Sequence, residues 1–231
     1  MDPYYNEEIM PQRRHSIITK IIFILVIILI IYIIFNNRKP IDSVYGEHNI
    51  MDDPIQKKIS SNSTITHNID NEYVCIIYPQ ASYKMTVKIK NINTLNYMDP
   101  EWRIKLSKYD LGVVWGSLAD KYYDEFITYS QINRYLSWYY SYDIGLSVTY
   151  ISTHISNNHI IPANENILRG ISNLKVDDVC YMEGKLVNYD INQNNTKIGF
   201  METSLSRTDS GNGACETFYV EKLILGDVTY Q

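Results

Sequence analysis

The chain has 231 residues, a formal net charge of -5 at pH 7 and 45% hydrophobic residues. This acidic balance supplies no basic surface of the kind that binds nucleic acid, so a nucleic-acid partner is not expected. The residues after about position 70 are enough for one domain with its own hydrophobic core.

An apolar run, IIFILVIILIIYIIF, occupies Ile21–Phe35 and contains no charged residue. Extended to residues 17–35, it is about 19 residues long and reaches roughly 28 Å as a helix, close to the thickness of a hydrocarbon core. It ends in NNRKP at 36–40, without the small residues that signal-peptide cleavage needs. The sequence therefore predicts an uncleaved transmembrane helix over 17–35 that contacts the lipid bilayer.

The orientation of this helix is predicted from the basic residues around it. Three precede the apolar run and two follow it: Arg13, Arg14, Lys20, Arg38 and Lys39. Because one more basic residue precedes the run than follows it, the positive-inside rule favours a cytoplasmic N-terminus. A short tail before a large C-terminal part, which is usual for a single-pass anchor, agrees with this orientation. Residues 1–16 are predicted to be a cytoplasmic tail, and the polar segment 36–70 a flexible linker.

Residues 71–231 are predicted to form an extracytoplasmic, β-rich domain. In Tyr83–Ile89, apolar residues alternate as in a half-buried strand. Other strands are expected over 73–79, 179–187, 198–205 and 217–225, and a short helix or turn over 166–174. Gly184 indicates a bulge or the close approach of another backbone. The predicted fold is mainly β with one or two short helices, a compact barrel or sandwich-like domain.

Two features of this domain leave alternatives open. The aromatic segment 132–142 is expected to pack in the core, with a ligand platform as the alternative. The cysteines Cys75, Cys180 and Cys215 allow either one disulfide with a free thiol or three small buried side chains.

Three stretches differ from an ordinary β domain: DLGVVWGSLAD at 110–120, HISNNHIIPA at 154–163 and SLSRTDSGNGACE at 204–216. In this order they resemble a family of uncharacterised bacterial proteins with D-L-x-x-x-W-G-x-x-x-D, H-S-x-N-x-H-x-I-P-A and S-S-L-x-R-T-D-T-G-x-G-A-C-E blocks. The resemblance covers about residues 72–225. Ile155 stands where the family pattern has serine, and Thr203 precedes Ser204, so neither first serine is expected to be a nucleophile.

The resemblance implies a candidate functional site without naming a reaction or a cofactor. Its residues in the second and third blocks are His154, Asn157, His159, Pro162, Arg207, Asp209, Gly211, Gly213, Cys215 and Glu216. Secondary candidates in the first block are Asp110, Trp115 and Asp120. Many members of the family resemble membrane-anchored or exported proteins, which implies a bacterial inner membrane with the C-terminal domain in the periplasm.

The residues of the third block favour a tight turn. Asp209-Ser210-Gly211-Asn212-Gly213 combines glycines with side chains that cap their own backbone. A hairpin or tight loop between two strands, braced by an ion pair of Arg207 with Asp209, is the expected structure. The alternative is an anion cradle in which backbone N–H groups and the Arg207 fork bind a carboxylate or phosphate.

The second block allows a metal site but does not favour one. His154 and His159 could converge on one ion on a bent loop, with Asp209 or Glu216 as a third ligand. We expect instead that His159 and Asn157 hydrogen-bond backbone around a turn that Pro162 ends, so no metal is assigned.

Two catalytic readings of the blocks have weak sequence support. Cys215 with His159 and Asp209 has the residue types of a nucleophilic site, but a cysteine at a strand start is more often buried. Asp110 and Asp120 could line a pocket beside Trp115, but ten residues of unknown backbone separate them and no acid–base geometry follows.

Three functions follow from these readings. The first, which we favour, is a membrane-tethered domain with a binding or scaffold role towards an envelope protein partner. The second is an envelope hydrolase, with or without a metal, that uses the His154/His159 and Arg207/Asp209 blocks in a concave polar pocket. The third is a small-anion or peptide sensor. A hydrolase is expected to place His159 and Arg207 side by side and within reach of solvent, whereas a scaffold buries or pairs them.

Overall fold

The computed structural model describes residues 19–30, 44–45, 48–60, 63–140, 144–209, 211 and 213–231. The chain divides into two compact units, Met1–Pro40 and Ile41–Gln231. In the first unit, residues 19–30 form helix α1, and its apolar side chains from Ile21 to Ile30 are exposed. Among the described residues, no helix is both long enough and apolar enough to cross a membrane. The predicted tail 1–16 and the ends of the predicted span 17–35 lie outside the described residues.

The second unit is built mainly of strands, which confirms the predicted β-rich class. Its strands are β1 Val44–Tyr45, β2 His48–Asn49, β3 Ile55–Lys58, β4 Ile65–Asn68, β5 Tyr73–Thr94, β6 Tyr109–Val114, β7 Ile127–Ile132, β8 Tyr135–Tyr140, β9 Ile155–Pro162, β10 Val179–Gln193, β11 Thr196–Met201, β12 Glu216–Leu225 and β13 Val228–Tyr230. Its α-helices are α2 Glu101–Leu106, α3 Val148–Thr153 and α4 Glu165–Ser172. Two short 3-10 helices occupy Gly116–Ala119 and Lys121–Glu125.

The hydrogen bonds between five strands form a closed circuit. In order of pairing these strands are β5, β6, β9, β12 and β10, and β10 pairs in turn with β5. All these pairings are antiparallel except that of β9 with β12, which run parallel. A parallel pair needs a crossover connection, and α4 lies in the segment that follows β9. The long strand β5 takes part in two of the pairings, with β6 at one end and with β10 along most of its length.

Apolar side chains alternate along β5 as the sequence predicts for 83–89, but Thr86 and Lys88 on the other face are also buried, so this part of β5 is not the half-buried strand that the sequence predicts. Tyr83, Met85, Val87 and Ile89 are fully buried in the largest hydrophobic cluster, with Trp115 and Phe218. A second cluster contains Cys75, Ile77, Ile161, Tyr189 and Tyr219. Ile160 and Ile161 are neighbours on β9 but belong to different clusters, because successive side chains of a strand point to opposite faces.

Gly184 lies at a bulge where β10 meets β12, as the sequence predicts. The register between these strands shifts between Glu183 and Gly184. A Cβ atom built on Gly184 would lie 2.0 Å from the backbone oxygen of Tyr219, so no side chain fits. The glycine therefore allows the backbones of β10 and β12 to approach closely.

Part of the segment predicted to be a linker belongs to the sheet. Strands β3 and β4 pair with β5, and Ile50 is fully buried. The buried His48 ring accepts a hydrogen bond from the Thr86 backbone N–H at 2.9 Å, and its other nitrogen lies 3.0 Å from the Asp53 carbonyl oxygen. These strands are difficult to predict from the sequence because each is only four residues long. Strand β4, Ile-Thr-His-Asn, has a single large apolar residue.

The aromatic segment also differs from its prediction. It forms β8, which pairs with β7 in a separate two-stranded hairpin. Of the aromatic side chains of β8, Tyr135, Tyr139 and Tyr140 are exposed, and Trp138 packs against a hydrophobic cluster. A hairpin outside the main sheet has few partners to cover it, so most of its aromatic side chains stay outside the core.

Candidate functional site

The second sequence block lies on β9, and the alternation of that strand divides its residues between two faces. Asn158 is the register partner of Glu216 on β12, and Ser156 hydrogen-bonds the same Glu216 side chain. His159 is the register partner of Asp110 on β6, on the opposite face from Asn158. The block is therefore a strand rather than the predicted turn, and it contributes to two separate polar clusters.

The first cluster consists of Asp110, His159 and Arg134. The His159 Nδ1 atom lies 2.8 Å from Asp110 Oδ1, and Arg134 donates to the same carboxylate through Nε and through its NH2 nitrogen, the latter at 2.6 Å. Asn93 donates to Asp110 Oδ2 at 3.2 Å. Asp110 is fully buried and His159 nearly so. An ion pair removed from water in this way needs the extra hydrogen bonds that Asn93 and His159 provide.

The protonation of this cluster follows from its geometry. Burial alone would raise the pKa of the Asp110 carboxyl, but hydrogen bonds from His159 and Arg134 outweigh it and hold the pKa below its usual value. Burial lowers the pKa of His159; the hydrogen bond with Asp110 raises it by less, and the nearby Arg134 charge acts in the same direction as burial. The cluster thus contains one carboxylate, one guanidinium and one neutral imidazole at neutral pH.

The second cluster is centred on Glu216, whose side chain is 3% exposed. Arg207 donates to Glu216 Oε1 at 2.5 Å, and the Ser156 hydroxyl donates to Oε2. Asn158 donates in turn to Ser156 Oγ at 2.9 Å. Burial raises the pKa of Glu216, and the Arg207 charge only partly offsets this effect.

Two nitrogens of Arg207 are already bound within the protein, unlike the open fork of the predicted anion cradle. Its NH2 nitrogen donates to the Tyr83 hydroxyl at 2.5 Å, while NH1 is bound to Glu216. The guanidinium also lies 5.1 Å from the centre of the Tyr83 ring and 5.6 Å from that of Trp115. Burial alone would lower the pKa of Arg207, but Tyr83 and Glu216 raise it above its usual value. These contacts make Arg207 a positioning residue for Glu216.

The third block lies in a loop between β11 and β12, so of the two predicted forms, hairpin or loop, the hairpin is wrong. Strand β11 pairs with β10, whereas β12 pairs with β10, β9 and β13, so the two strands on either side of the loop are not partners. The predicted Arg207–Asp209 ion pair is absent from the described residues. Asp209 instead accepts from Ser204 Oγ at 2.6 Å. The buried carboxylate of Glu216 attracts Arg207, a contact that local turn chemistry does not reveal.

A cavity of about 390 Å³ lies where the second block, the third block and the β8 hairpin meet. Most of its polar lining residues belong to the two blocks: Ser156, Asn157, Ser206, Arg207, Asp209, Gly211, Cys215 and Glu216. The other lining residues are Tyr135, Leu136, Ser137 and Trp138 of β8, Ser152, Ile155 and Ala214. The volume falls in the range of small-molecule sites, which combine apolar walls with a few placed polar groups.

The two histidines of the second block do not converge. His154 follows α3, its Nδ1 lies 2.8 Å from the Tyr150 carbonyl oxygen, and its ring stacks on Tyr150 with 3.8 Å between centroids. His159 is bound to Asp110 in the first cluster. Within the described residues, no group of three or more His, Cys, Asp or Glu side chains is arranged to hold a metal ion.

Cys215 lines the cavity but is not arranged with His159 and Asp209 as a nucleophile. Its Sγ atom accepts a hydrogen bond from Asn157 Nδ2 at 3.1 Å, and Asn157 also donates to the Arg134 carbonyl oxygen at 2.6 Å. Burial raises the pKa of Cys215, which disfavours the thiolate. All three cysteines are free thiols in the structure, Cys75 and Cys180 buried and Cys215 partly exposed.

The remaining candidates have separate structural roles. Asp120 is exposed and accepts from the Tyr122 backbone N–H at 2.8 Å, so it caps a 3-10 helix and is not paired with Asp110. Trp115 is fully buried and donates from Nε1 to Asp53 Oδ1 at 2.9 Å. Gly213 does not line the cavity, although it has the positive φ expected from the turn pattern.

Sequence reasoning missed the contributions of Arg134, Tyr83 and the β8 hairpin. Arg134 has a φ of 68° at the hairpin turn, and no motif marks it as the partner of Asp110, 24 residues away. Tyr83 was recognised only as one of several apolar strand residues. The aromatic composition of 132–142 was the available signal for the cavity wall.

No family model, no curated protein and no solved structure matches this chain. The candidate site therefore rests on the chain's own geometry.

Proposed function

We propose that this chain is a single-pass anchored protein of the bacterial inner membrane, with a cytoplasmic N-terminus and a periplasmic domain that binds an envelope protein partner without catalysing a reaction. The anchor is supported by the uncharged run Ile21–Phe35, of which the described part is a helix with exposed apolar side chains. The binding role is supported by the cavity at the meeting point of the second and third blocks.

One observation favours a binding role over catalysis. The polar side chains that an active site would use are bound to one another in two separate clusters, one around Asp110 and one around Glu216. His159 is buried in the first and Arg207 is held in the second. Paired side chains of this kind stabilise a rigid surface, whereas a hydrolase needs a base and a charge that both face the substrate.

The strand order supports a small barrel of the oligonucleotide/oligosaccharide-binding type, and we include this fold in the proposal. Numbered along the chain, the five strands of the circuit pair in the order 1-2-3-5-4-1, with strands 3 and 5 parallel and α4 between strands 3 and 4. Barrels of this type bind ligands over strands 2 and 3 and the adjoining loops. In this chain those strands are β6 and β9, and the cavity lies at the start of β9.

The other two functions have less geometric support. A hydrolase acting through His154, His159, Arg207 and Asp209 would need side chains that lie in different clusters to converge. An anion sensor would need the guanidinium of Arg207, which is occupied by Glu216 and Tyr83.

Site-specific photo-cross-linking in the host membrane tests the binding role. We would place a photoreactive amino acid in the full-length chain at Tyr135, which lines the cavity, and at Tyr97 as a control that is 91% exposed and outside the lining. A discrete cross-linked product at position 135 but not at 97 is the expected result. Equal labelling at both positions, or none at 135, would contradict the proposal.

Membrane extraction and proteolysis test the anchor. After extraction with alkaline carbonate, we expect the full chain to remain in the membrane fraction. Protease added outside the inner membrane should digest the domain after residue 40 and spare residues 1–16. Release of the chain by carbonate, or protection of the domain, would contradict the proposed topology.

A further inference from the structure

The cavity between the second block, the third block and the β8 hairpin is lined both by charged side chains and by aromatic side chains of β8. This combination indicates the chemistry of its ligand. We propose that it binds the cationic end of a small molecule or peptide, a primary ammonium or guanidinium group, with an aromatic or aliphatic portion next to the charge. This inference rests on the proposed binding function, because it assigns a ligand class to the same cavity.

The charge of the lining favours a cation. Arg207, Asp209 and Glu216 line the cavity. Arg207 and Glu216 form an ion pair at 2.5 Å, so their charges largely cancel. Asp209 accepts from the Ser204 hydroxyl but has no cationic partner among the described residues. One carboxylate charge is therefore left over at the cavity, and its second oxygen is able to accept a hydrogen bond from a ligand.

The aromatic wall provides the second half of the site. Tyr135 and Trp138 of β8 line the cavity, and Trp138 stacks on Tyr140 with 6.0 Å between ring centroids and 21° between planes. A tryptophan face attracts a cation through its quadrupole and also packs against apolar groups. An anionic group would lack the attraction to the ring face and would be repelled by Asp209.

Cys215 gives a direct readout of occupancy in the full-length chain. It lines the cavity and is partly exposed, whereas Cys75 and Cys180 are buried. We would measure the rate at which the neutral reagent methyl methanethiosulfonate modifies Cys215, by mass spectrometry of the protein in a non-ionic detergent. The probes are tyramine, tyrosol and 4-hydroxyphenylacetate, which share a phenol ring and differ in bearing a positive, a neutral and a negative end.

We expect tyramine to slow the modification of Cys215 at least fivefold and to saturate, with a midpoint at least tenfold lower than that of tyrosol and no effect of 4-hydroxyphenylacetate. Asp209→Asn should abolish the protection, and Trp138→Leu should weaken it. Glu125→Gln removes one exposed carboxylate outside the lining and should leave protection unchanged. Each variant is compared with itself with and without probe, so a change in the basal rate does not affect the comparison.

Equal or stronger protection by 4-hydroxyphenylacetate would overturn the inference, and so would full protection by tyramine in Asp209→Asn. If no probe protects Cys215 while the cross-link at Tyr135 persists, the cavity does not take this ligand class and the binding role still stands. If tyramine protects Cys215 and the cross-link is absent, the ligand class is supported and the protein partner is wrong.

Discussion

The Asp110 carboxylate and the His159 imidazole are register partners on β6 and β9, with 2.8 Å between Oδ1 and Nδ1. Arg134 reaches the same carboxylate from the turn of the β7–β8 hairpin, and its NH2 nitrogen also donates to Ser107 Oγ at 3.1 Å. One buried carboxylate therefore fastens the hairpin to the main sheet. Because the hairpin provides the aromatic wall of the cavity, this ion cluster also positions the site.

The buried His159 should make the fold less stable in mild acid. Its pKa in the folded state lies below 6.5, so the unfolded chain takes up the proton first, and stability present above about pH 6.5 is lost as pH falls. We expect the difference in unfolding free energy between pH 7.5 and 5.5 to be smaller in His159→Gln than in the natural chain. Urea unfolding at the two pH values measures this difference.

Other titratable groups with shifted pKa values are present in both the natural chain and His159→Gln. His67 also has a pKa lowered by burial, so some acid sensitivity should remain in His159→Gln. The pKa of Asp110 is lowered in the folded state, so the stability that this carboxylate contributes is lost only as the pH falls below the ordinary pKa of an aspartate. That range lies below pH 5.5. The raised pKa of Glu216 acts in the opposite direction, since protonation of this group favours the folded state. An identical pH dependence in both proteins would show that His159 is not neutral in the folded state.

The losses of stability on removing Arg207 and on removing Glu216 should not be additive. Arg207→Met leaves the Glu216 carboxylate buried with Ser156 as its remaining side-chain partner, which should cost about 3 kcal/mol of unfolding free energy. In the double variant Arg207→Met/Glu216→Leu no charge is stranded, and the loss should fall below the sum of the single losses by about 1–3 kcal/mol. Denaturant unfolding of all four proteins completes the cycle.

The Lys197–Asp190 pair is a matched control for this cycle. Its atoms lie 2.6 Å apart, but the Lys197 side chain is half exposed. Lys197→Met should cost no more than about 1 kcal/mol, because water screens an exposed pair. Additive losses for Arg207 and Glu216, or an equal loss for Lys197, would mean that the Arg207–Glu216 pair has no special structural role.

Gly184→Ala should be strongly destabilising. The new methyl group would lie 2.0 Å from the Tyr219 backbone oxygen, so β10 and β12 would have to separate at the bulge, at a cost of about 3 kcal/mol. Gly211→Ala is the comparison: its φ of 79° disfavours alanine, but nothing lies within 4 Å, and a cost of about 1 kcal/mol is expected. Thermal unfolding should rank Gly184→Ala below Gly211→Ala, and the reverse order would contradict the close approach.

Cys215 should react before the other two cysteines. Cys75 and Cys180 are fully buried, and burial raises the pKa of Cys75 to about 12. Cys215 is partly exposed, although its own pKa is raised, so its alkylation should be slow and should accelerate as the pH rises towards the thiol pKa. Peptide mass spectrometry after brief treatment of the native protein with iodoacetamide measures the three rates. Modification of Cys75 at a similar rate, or a Cys215 blocked in a disulfide, would contradict this arrangement.

Local patterns were sufficient for several elements of the fold. The alternation of 83–89, the strands beginning at 179 and 217, the helix near 166 and the bulge at Gly184 each depend on side chains close together in sequence. The loop after Arg207 was also found, because its glycines and capping residues mark a turn. A pocket where the second and third blocks meet is a prediction of the hydrolase hypothesis, whereas the β8 residues that line the cavity are not predicted.

The sequence by itself determined the apolar N-terminal run, the β-rich class and the blocks that contain Asn157, Arg207 and Cys215, because these features depend on residue type and short-range periodicity. The tertiary structure alone decided which charges meet: His159 with Asp110, Arg134 across the hairpin, and Arg207 with Glu216 and Tyr83. The energy of a buried charge depends on its few neighbours within hydrogen-bond distance, and in this fold those neighbours come from segments as far as 124 residues apart in sequence.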